Sequence, residues 1–163
     1  MANGLFRGAQ LARVVADGRT RLPAFVVRAL GEDAGELIFG LHERALCLTG
    51  YDGAFELRLA EDLERRRLRD EERGAEPVLH EARLRRAFGF AEGAQVDRDG
   101  ACRLPARLRR RGRIGGLALF VGTGGSFEIW NPSLALEAGD EVLRGLAANM
   151  LAQGAGEARE ENE

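Results

Sequence analysis

The sequence predicts an α+β fold, mainly β, in which two similar repeats are joined by a helical hairpin and followed by a C-terminal helix. The first observation behind this prediction is that "DGRTRLP" at residues 17–23 recurs as "DGACRLP" at residues 99–105. The second is that apolar runs of strand length follow each copy. The third is a charged segment with helical spacing between the copies. At 163 residues, the chain fits one domain or two small ones that share a core.

The first copy predicts two pairs of strands with a short helix between them. An Asp-Gly pair between apolar runs is a strong hairpin signal, so Asp17 and Gly18 are expected to form a turn. Pro23 is suited to begin the helix, and Gly31 is suited to end it. The expected strands are 11–15, 20–22, 36–41 and 45–50.

The second copy predicts the same order of elements. Asp99 and Gly100 are expected to form its turn, and Pro105 to begin a helix that Gly112 ends. The segment "GTGG" at 122–125 is glycine-rich like a phosphate loop, but no Lys-Ser/Thr follows it, so a hairpin turn is expected there. The expected strands are 94–96, 102–104, 117–122 and 126–130.

The rest of the chain is expected to be helical or disordered. Glu-Arg and Asp-Arg pairs four residues apart favour exposed helices in the spacer between the copies. Asn131 and Pro132 are suited to begin a helix, and the acidic last residues are expected to be disordered. An apolar stripe marks the C-terminal helix: Leu143, Leu146, Ala147, Met150 and Leu151. The expected boundaries are 5–58 and 91–136 for the repeats, 59–90 for the spacer, 137–153 for the C-terminal helix and 154–163 for the tail.

Basic charge gathers at the two copies. Residues 1–31 hold five arginines against one aspartate, and residues 98–116 hold seven arginines against one aspartate, although the formal net charge of the chain is −2. This pattern is compatible with polyanion binding and also with two solvated helices. Because all the basic residues are arginines, a GC-rich genome would explain their number equally well.

Several other classes of protein and site are not expected. No apolar run has membrane-spanning length, and the first residues lack the apolar core of a secretion signal, so a cytoplasmic protein is expected. Cys47 and Cys102 have no metal or redox spacing. His42, Glu43 and Cys47 lie close in sequence. The spacing from His42 to Cys47 spans a predicted hairpin, however, and no third metal ligand presents itself beside them. A turn histidine and a buried cysteine are therefore expected, with no metal and no cofactor. The sequence contains no constellation typical of an enzyme or of a small-molecule substrate site.

Several motifs together resemble the MraZ family of bacterial regulators of the division and cell-wall gene cluster. These motifs are "FRG" at 6–8, the two Asp-Gly turns with their "RLP" and the block "FVGTGGSFEIW" at 120–130. The resemblance runs from Phe6 to about Met150. It implies tandem SpoVT-AbrB units that form a swapped-hairpin, double-split β-barrel. It also implies a ring-like homo-oligomer, associated with the nucleoid, that represses its own operon by binding short repeated boxes in double-stranded DNA.

The family signature, an Asp followed four residues later by an Arg and then by "LP", is divided between the two copies. The first copy has Arg19 but Val15 at the acidic position, and the second has Asp97 but Ala101 at the basic position. One hypothesis is that Asp97 orients Arg19 across the two repeats. The alternative is that Asp97 only stabilises its own turn by hydrogen bonding to the backbone.

Strand alternation indicates which side chains face outward. Thr20, Leu22, Cys102 and Leu104 are expected in the core, and the arginines beside them outside. An arginine fork can grip a phosphate or a guanine edge with two hydrogen bonds, although these arginines would equally suit ion pairs with surface carboxylates. The expected DNA-binding residues are Arg19, Arg21, Arg103, Arg107, Arg109 and Arg110, and the expected loop-orienting residues are Asp17, Gly18, Asp97, Asp99 and Gly100. The alternative function is an antitoxin-like or other protein-binding module built on the same barrel.

Overall fold

The structure, a computed structural model, describes residues 4–32 and 35–160 and has an α+β fold. Its strands are β1 (Ala9–Arg13), β2 (Arg19–Arg21), β3 (Glu36–Leu41), β4 (Leu48–Tyr51), β5 (Glu92–Gln95), β6 (Ala101–Arg103), β7 (Leu117–Gly122) and β8 (Phe127–Trp130). Its helices are α1 (Ala24–Leu30), α2 (Gly53–Glu72), α3 (Pro77–Leu84), α4 (Ala106–Gly112), α5 (Pro132–Ala138) and α6 (Glu141–Glu160), and a π-helical turn (Arg85–Gly89) follows α3. More of the described residues lie in helices than in strands, so the expectation of a mainly β chain is wrong.

The strands form one antiparallel sheet and one separate pair. The sheet has six strands in the order β1-β7-β8-β4-β3-β5, and β2 pairs with β6. The first repeat therefore contributes β1 to a ladder with β7 of the second repeat, and β2 to a ladder with β6. Each repeat completes the strand pairing of the other.

The hairpin predicted around Asp17 and Gly18 forms only in part. Its two sides are joined by a single bridge between Val14 and Thr20, and the ladder of β2 is made with β6 instead. The sequence signal for a turn is local, whereas Thr20 lies opposite Cys102 of the other repeat. The turn was predicted correctly, and the pairing was not.

The main core fills the space between the six-stranded sheet, the β2–β6 pair and the short helices α1 and α4. All four side chains predicted to be inside are buried: Thr20, Leu22, Cys102 and Leu104. The Phe127 ring lies at the centre of an aromatic group, 5.0 Å from the ring centroid of Phe6 and 6.0 Å from that of Phe120. This core fixes β2 and β6 with their other faces toward solvent.

The helix that leads into the spacer begins within the segment assigned to the first repeat. The side chain of Asp52 accepts a hydrogen bond from the backbone N–H of Phe55 and caps α2 at Gly53, within the segment assigned to the first repeat. The spacer consequently holds a 20-residue helix and a shorter one rather than two short helices. An ion pair between Arg83 and Asp70 joins α3 to α2, and one between Arg66 and Glu43 joins α2 to the turn after β3.

Two helix ends also differ from their predictions. Gly112 is the last residue of α4, and Arg113 takes the left-handed conformation at φ 54° that ends the helix. The segment after Asn131 forms α5 and α6 rather than one helix, with a break at Gly139. The Asn131 side chain caps α5 by accepting the N–H of Ser133.

The C-terminal helix packs on the outer face of the sheet, against β1 and the β7–β8 hairpin, through its predicted apolar stripe. Leu143 and Ala147 are buried there against Leu119 and Trp130. The helix α6 continues to Glu160, past residue 154, where the disordered tail was expected to begin; residues 161–163 lie outside the described part of the chain. Among the described residues, no helix is both long enough and apolar enough to cross a membrane.

Candidate nucleic-acid interface

The β2–β6 pair presents arginines from both repeats on one exposed face. Arg19 lies directly opposite Arg103 in the ladder, and Arg21 lies opposite Ala101. The side chains of Arg19 and Arg103 are 67% and 63% exposed. Strand alternation produces this arrangement, because the intervening Thr20 and Cys102 point into the core. The prediction that these arginines face outward is confirmed.

The two Asp-Gly turns flank this pair and are tied to each other's repeat. Gly18 and Gly100 have positive φ values of 95° and 78°, which favour glycine. The N–H of Leu104 donates to the carbonyl oxygen of Gly18, and the N–H of Leu22 donates to that of Gly100, both at 2.9 Å. These reciprocal bonds relate the turns by an approximate two-fold axis.

Asp17 contacts both opposed arginines. Its Oδ1 accepts the backbone N–H of Arg19 at 3.1 Å, and its Oδ2 accepts the Arg19 Nε–H at 2.9 Å. The same Oδ2 accepts an N–H from Arg103 Nη2 at 3.3 Å. The backbone N–H of Arg19, followed by the charges of Arg19 and Arg103, holds the pKa of the Asp17 carboxyl below its ordinary value.

Asp97 occupies the corresponding region of the second repeat and serves its own turn. Its Oδ1 accepts the backbone N–H groups of Asp99 and Ala101, both at 2.9 Å. The carboxylate that pairs with Arg19 is Asp17. The structure therefore supports the turn-stabilising alternative for Asp97 and gives Arg19 a different partner from the one hypothesised.

The arginines of α4 divide into engaged and outward-facing side chains. Arg107 forms an ion pair with Glu92 at 3.5 Å and lies over the ring of Phe90. Arg109 is half-buried and donates from Nε to the carbonyl oxygen of Leu104 at 3.1 Å. Arg110 is exposed. Within the described residues, the side chains of Arg21 and Arg110 have no hydrogen bond or ion pair.

An Arg109→Ala variant is expected to lose about 1–2 kcal/mol of unfolding free energy, because Arg109 holds the Asp17-Gly18 turn against the segment after β6 through hydrogen bonds to main-chain carbonyls. Besides Leu104, it reaches the carbonyl oxygen of Ala16 at 3.5 Å, and its guanidinium lies against Gly18. Urea unfolding followed by circular dichroism measures the difference. Arg110→Ala is the control with the same charge change and is expected to leave stability within about 0.5 kcal/mol. Equal stability of the two variants would contradict a bracing role for Arg109.

A second polar cluster lies away from this face, where β3, β4 and β8 meet. One ligand-type atom from each of His42, Cys47 and Glu128 lies within 4.8 Å of the other two, so Glu128 supplies the third group that the sequence did not reveal. His42 Nδ1 accepts two backbone N–H groups, those of Arg44 and Ala45, and therefore carries no proton. The imidazole proton lies on Nε2, which faces Glu128 Oε2 at 3.3 Å.

The protonation of this cluster does not fit a metal ion. A histidine that ligates through Nε2 carries its proton on Nδ1, which here receives two N–H donors. Burial, and then the charge of Glu128, raises the pKa of the Cys47 thiol. Glu128 also accepts the indole N–H of Trp130 at 3.0 Å, so the cluster holds the β3–β4 turn against β8.

The pH dependence of stability is expected to reveal this cluster. The hydrogen bond from His42, and then that from Trp130, lowers the pKa of Glu128 from its ordinary value of 4.5. A carboxyl with a lowered pKa stabilises the folded state above the ordinary carboxyl range, and this stabilisation is lost as pH falls through the folded-state pKa. Glu128→Gln is expected to be less stable than the parent chain at neutral pH but to lose less stability below pH 4.5. If the unfolding free energies of the two proteins change in parallel with pH, this role is contradicted.

Proteins named transcriptional regulator MraZ are similar to this chain over most of its length. That of Halorhodospira halophila is 31% identical over 134 residues, which are 80% of this chain and 82% of that protein. The chain belongs to the MraZ family. MraZ of Azotobacter vinelandii is 30% identical over 129 residues, which are 78% of this chain and 80% of that protein. MraZ of Legionella pneumophila (strain Corby) is 28% identical over 134 residues, or 80% of this chain and 82% of that protein.

Membership in the MraZ family confirms the resemblance inferred from the paired "RLP" elements and the Trp-ended hairpin. It identifies the chain as a transcriptional regulator and not an enzyme. No protein-family model matches the chain.

Proposed function

We propose that this transcriptional regulator binds double-stranded DNA through the exposed β2–β6 face and represses its own division and cell-wall gene cluster. The observation that carries the proposal is the position of Arg19 directly opposite Arg103, with Arg21 beside them on the same exposed face. The major groove of B-DNA admits a two-stranded β-ribbon, and arginine is the side chain that most often contacts guanine edges there. An arginine-bearing strand pair of this kind can therefore reach bases.

The outward-facing arginines around this strand pair have a separate role. Arg21 and Arg110 are exposed, and within the described residues neither has an ion-pair partner. Cations of this kind contact phosphates, which fix the position of a protein on DNA without reading its sequence. We assign base contacts to Arg19 and Arg103 and phosphate contacts to Arg21 and Arg110. Arg107 and Arg109 are assigned chiefly to holding α4 in place.

The exchange of strands between the repeats supports the finer architecture that we propose. In this proposal, the repeats at 5–58 and 91–136 are SpoVT-AbrB units that together form a swapped-hairpin, double-split β-barrel. The ladders β1–β7 and β2–β6 each join one unit to the other. Neither unit has all its strand partners without its counterpart, which explains why one chain carries the element twice.

We also propose that the protein acts in the cytoplasm, at the nucleoid, as a ring-like homo-oligomer on repeated short boxes. Large apolar side chains stand on the surface of the single chain, and such side chains favour association when they meet. Among the described residues, the most exposed of these are Leu5, Leu57, Val78 and Val142. Several weak contacts in one assembly bind tightly, because each contact raises the effective concentration of the next.

Salt dependence tests the proposal against the alternative of a protein-binding module. The affinity for the DNA upstream of the gene is measured by fluorescence anisotropy at several salt concentrations. The proposal requires the logarithm of the affinity to fall steeply and linearly with the logarithm of salt concentration, because counterions are released from the phosphates. If the chain binds no DNA at low salt, or if its binding is insensitive to salt, the proposal is contradicted and the protein-binding module is favoured.

A further inference from the structure

Asp17 is an acidic residue in the middle of a basic face. We infer that it is a positioning residue that holds Arg19 and Arg103, one arginine from each repeat, as an aligned pair for sequence recognition. This inference rests on the proposed function. It assigns the carboxylate a role distinct from that of the arginines, because Asp17 acts through them rather than by touching DNA.

The contacts leave both arginines able to bind a ligand. Arg19 gives its Nε–H to Asp17 Oδ2, and within the described residues its two terminal nitrogens have no hydrogen-bond acceptor. Arg103 gives a hydrogen from Nη2 to the same oxygen. Two arginines directly opposite each other on antiparallel strands repel, and a carboxylate that contacts both offsets that repulsion. Asp17 therefore fixes the spacing of the two forks.

Turn stability gives little reason for a charged side chain at this position, because asparagine would accept the same backbone N–H of Arg19. The Asp17 side chain is 42% exposed, and exposed ion pairs contribute little to folding. A carboxylate on a DNA-binding face also repels phosphates, which weakens binding to every sequence. Orientation of the arginine side chains by Asp17 offsets this loss of affinity, because an arginine that is already oriented loses less conformational entropy when it binds. This gain applies to contacts with base edges, which require a defined geometry of the arginine side chain.

The two repeats differ at this point. Asp99 occupies the position in the second repeat that Asp17 occupies in the first, and within the described residues its carboxylate forms no ion pair. The acidic position of the family signature is Val15 in the first repeat, so no charge is available there to orient Arg19. The carboxylate two residues later takes that place and also reaches Arg103. The divided signature thus retains an oriented arginine.

The experiment compares Asp17→Asn with Asp99→Asn. Both variants remove one negative charge from an exposed Asp-Gly turn, and asparagine at position 17 keeps an oxygen that can accept the backbone N–H of Arg19. The wild-type chain first selects its preferred sequence from a random library of double-stranded DNA. Affinities for that sequence and for a shuffled fragment of equal length then give a preference ratio for each protein.

Asp17→Asn is expected to bind the shuffled fragment at least as well as wild type and to reduce the preference ratio about three- to tenfold. Asp99→Asn is expected to leave the ratio within about twofold of wild type. In an Arg19→Ala background, Asp17→Asn should reduce the ratio less than it does in the wild-type chain. A ratio that is unchanged in folded Asp17→Asn, or reduced equally in both backgrounds, overturns the inference. If the wild-type chain enriches no sequence, the proposed function fails, and the inference fails with it.

Discussion

Replacing Arg19 and Arg103 together by alanine is expected to abolish specific DNA binding at physiological salt. Each arginine that reads a base edge contributes about 1–3 kcal/mol, so loss of both weakens binding by about 30-fold or more. The side chains are exposed and lie on a strand pair whose core-facing residues are unchanged, so folding should be preserved. Fluorescence anisotropy on the upstream DNA measures the loss, and circular dichroism verifies the fold.

The control for this variant is the replacement of Arg65 and Arg69 by alanine. Both residues are exposed arginines on α2, so the net charge changes by the same amount outside the proposed interface. The control is expected to retain most of the affinity of wild type. If both double variants bind equally well, the β2–β6 face does not contact DNA. If both lose binding equally, net charge rather than this face determines affinity.

Replacing Phe127 by alanine is expected to cost about 3–5 kcal/mol of unfolding free energy. The Phe127 side chain is fully buried, with its ring 6.3 Å from that of Phe39 and in contact with Phe6 and Phe120. Gly50 provides room for this ring, since a Cβ at that position would lie 2.2 Å from Phe127 Cζ. Because small domains are stable by only about 5–15 kcal/mol, the variant should be close to unfolding at 37 °C.

Urea denaturation with linear extrapolation measures this loss. Leu57→Ala is a suitable control, because Leu57 is 68% exposed and its truncation should change the stability by less than about 1 kcal/mol in the single chain. A loss below about 1 kcal/mol for Phe127→Ala would contradict the position of this ring at the centre of the core.

Local patterns in the sequence predicted the elements well, and non-local pairing was the main source of error. The bounds of β3 and β7 match the predicted segments because continuous apolar runs end at polar or glycine residues. The faces of β2 and β6 follow from strict alternation. The ladder between β2 and β6 could not be derived from the hairpin signal at Asp17 and Gly18, because that signal reports only the local turn.

The sequence predicted which residues form the candidate site but not the hydrogen bonds and ion pairs between them. The exposure of Arg19 and Arg103 followed from the pattern, whereas the contact of Asp17 with Arg103 depends on the fold bringing distant segments together. The same limit applies to Glu128, which joins His42 only through the packing of β8 near the turn after β3. For Arg109, charge suggested a DNA contact, but the close approach of Gly18 gives it a structural role.

Footprinting of the DNA upstream of the gene tests the central claim most directly, namely that this MraZ-family regulator reads its own operator through the β2–β6 face. The wild-type chain is expected to protect several short, regularly spaced boxes. The variant lacking Arg19 and Arg103 side chains is expected to protect none at the same protein concentration. Absence of protection by folded wild-type protein at saturating concentration would contradict the claim, as would an unchanged footprint from the folded double variant.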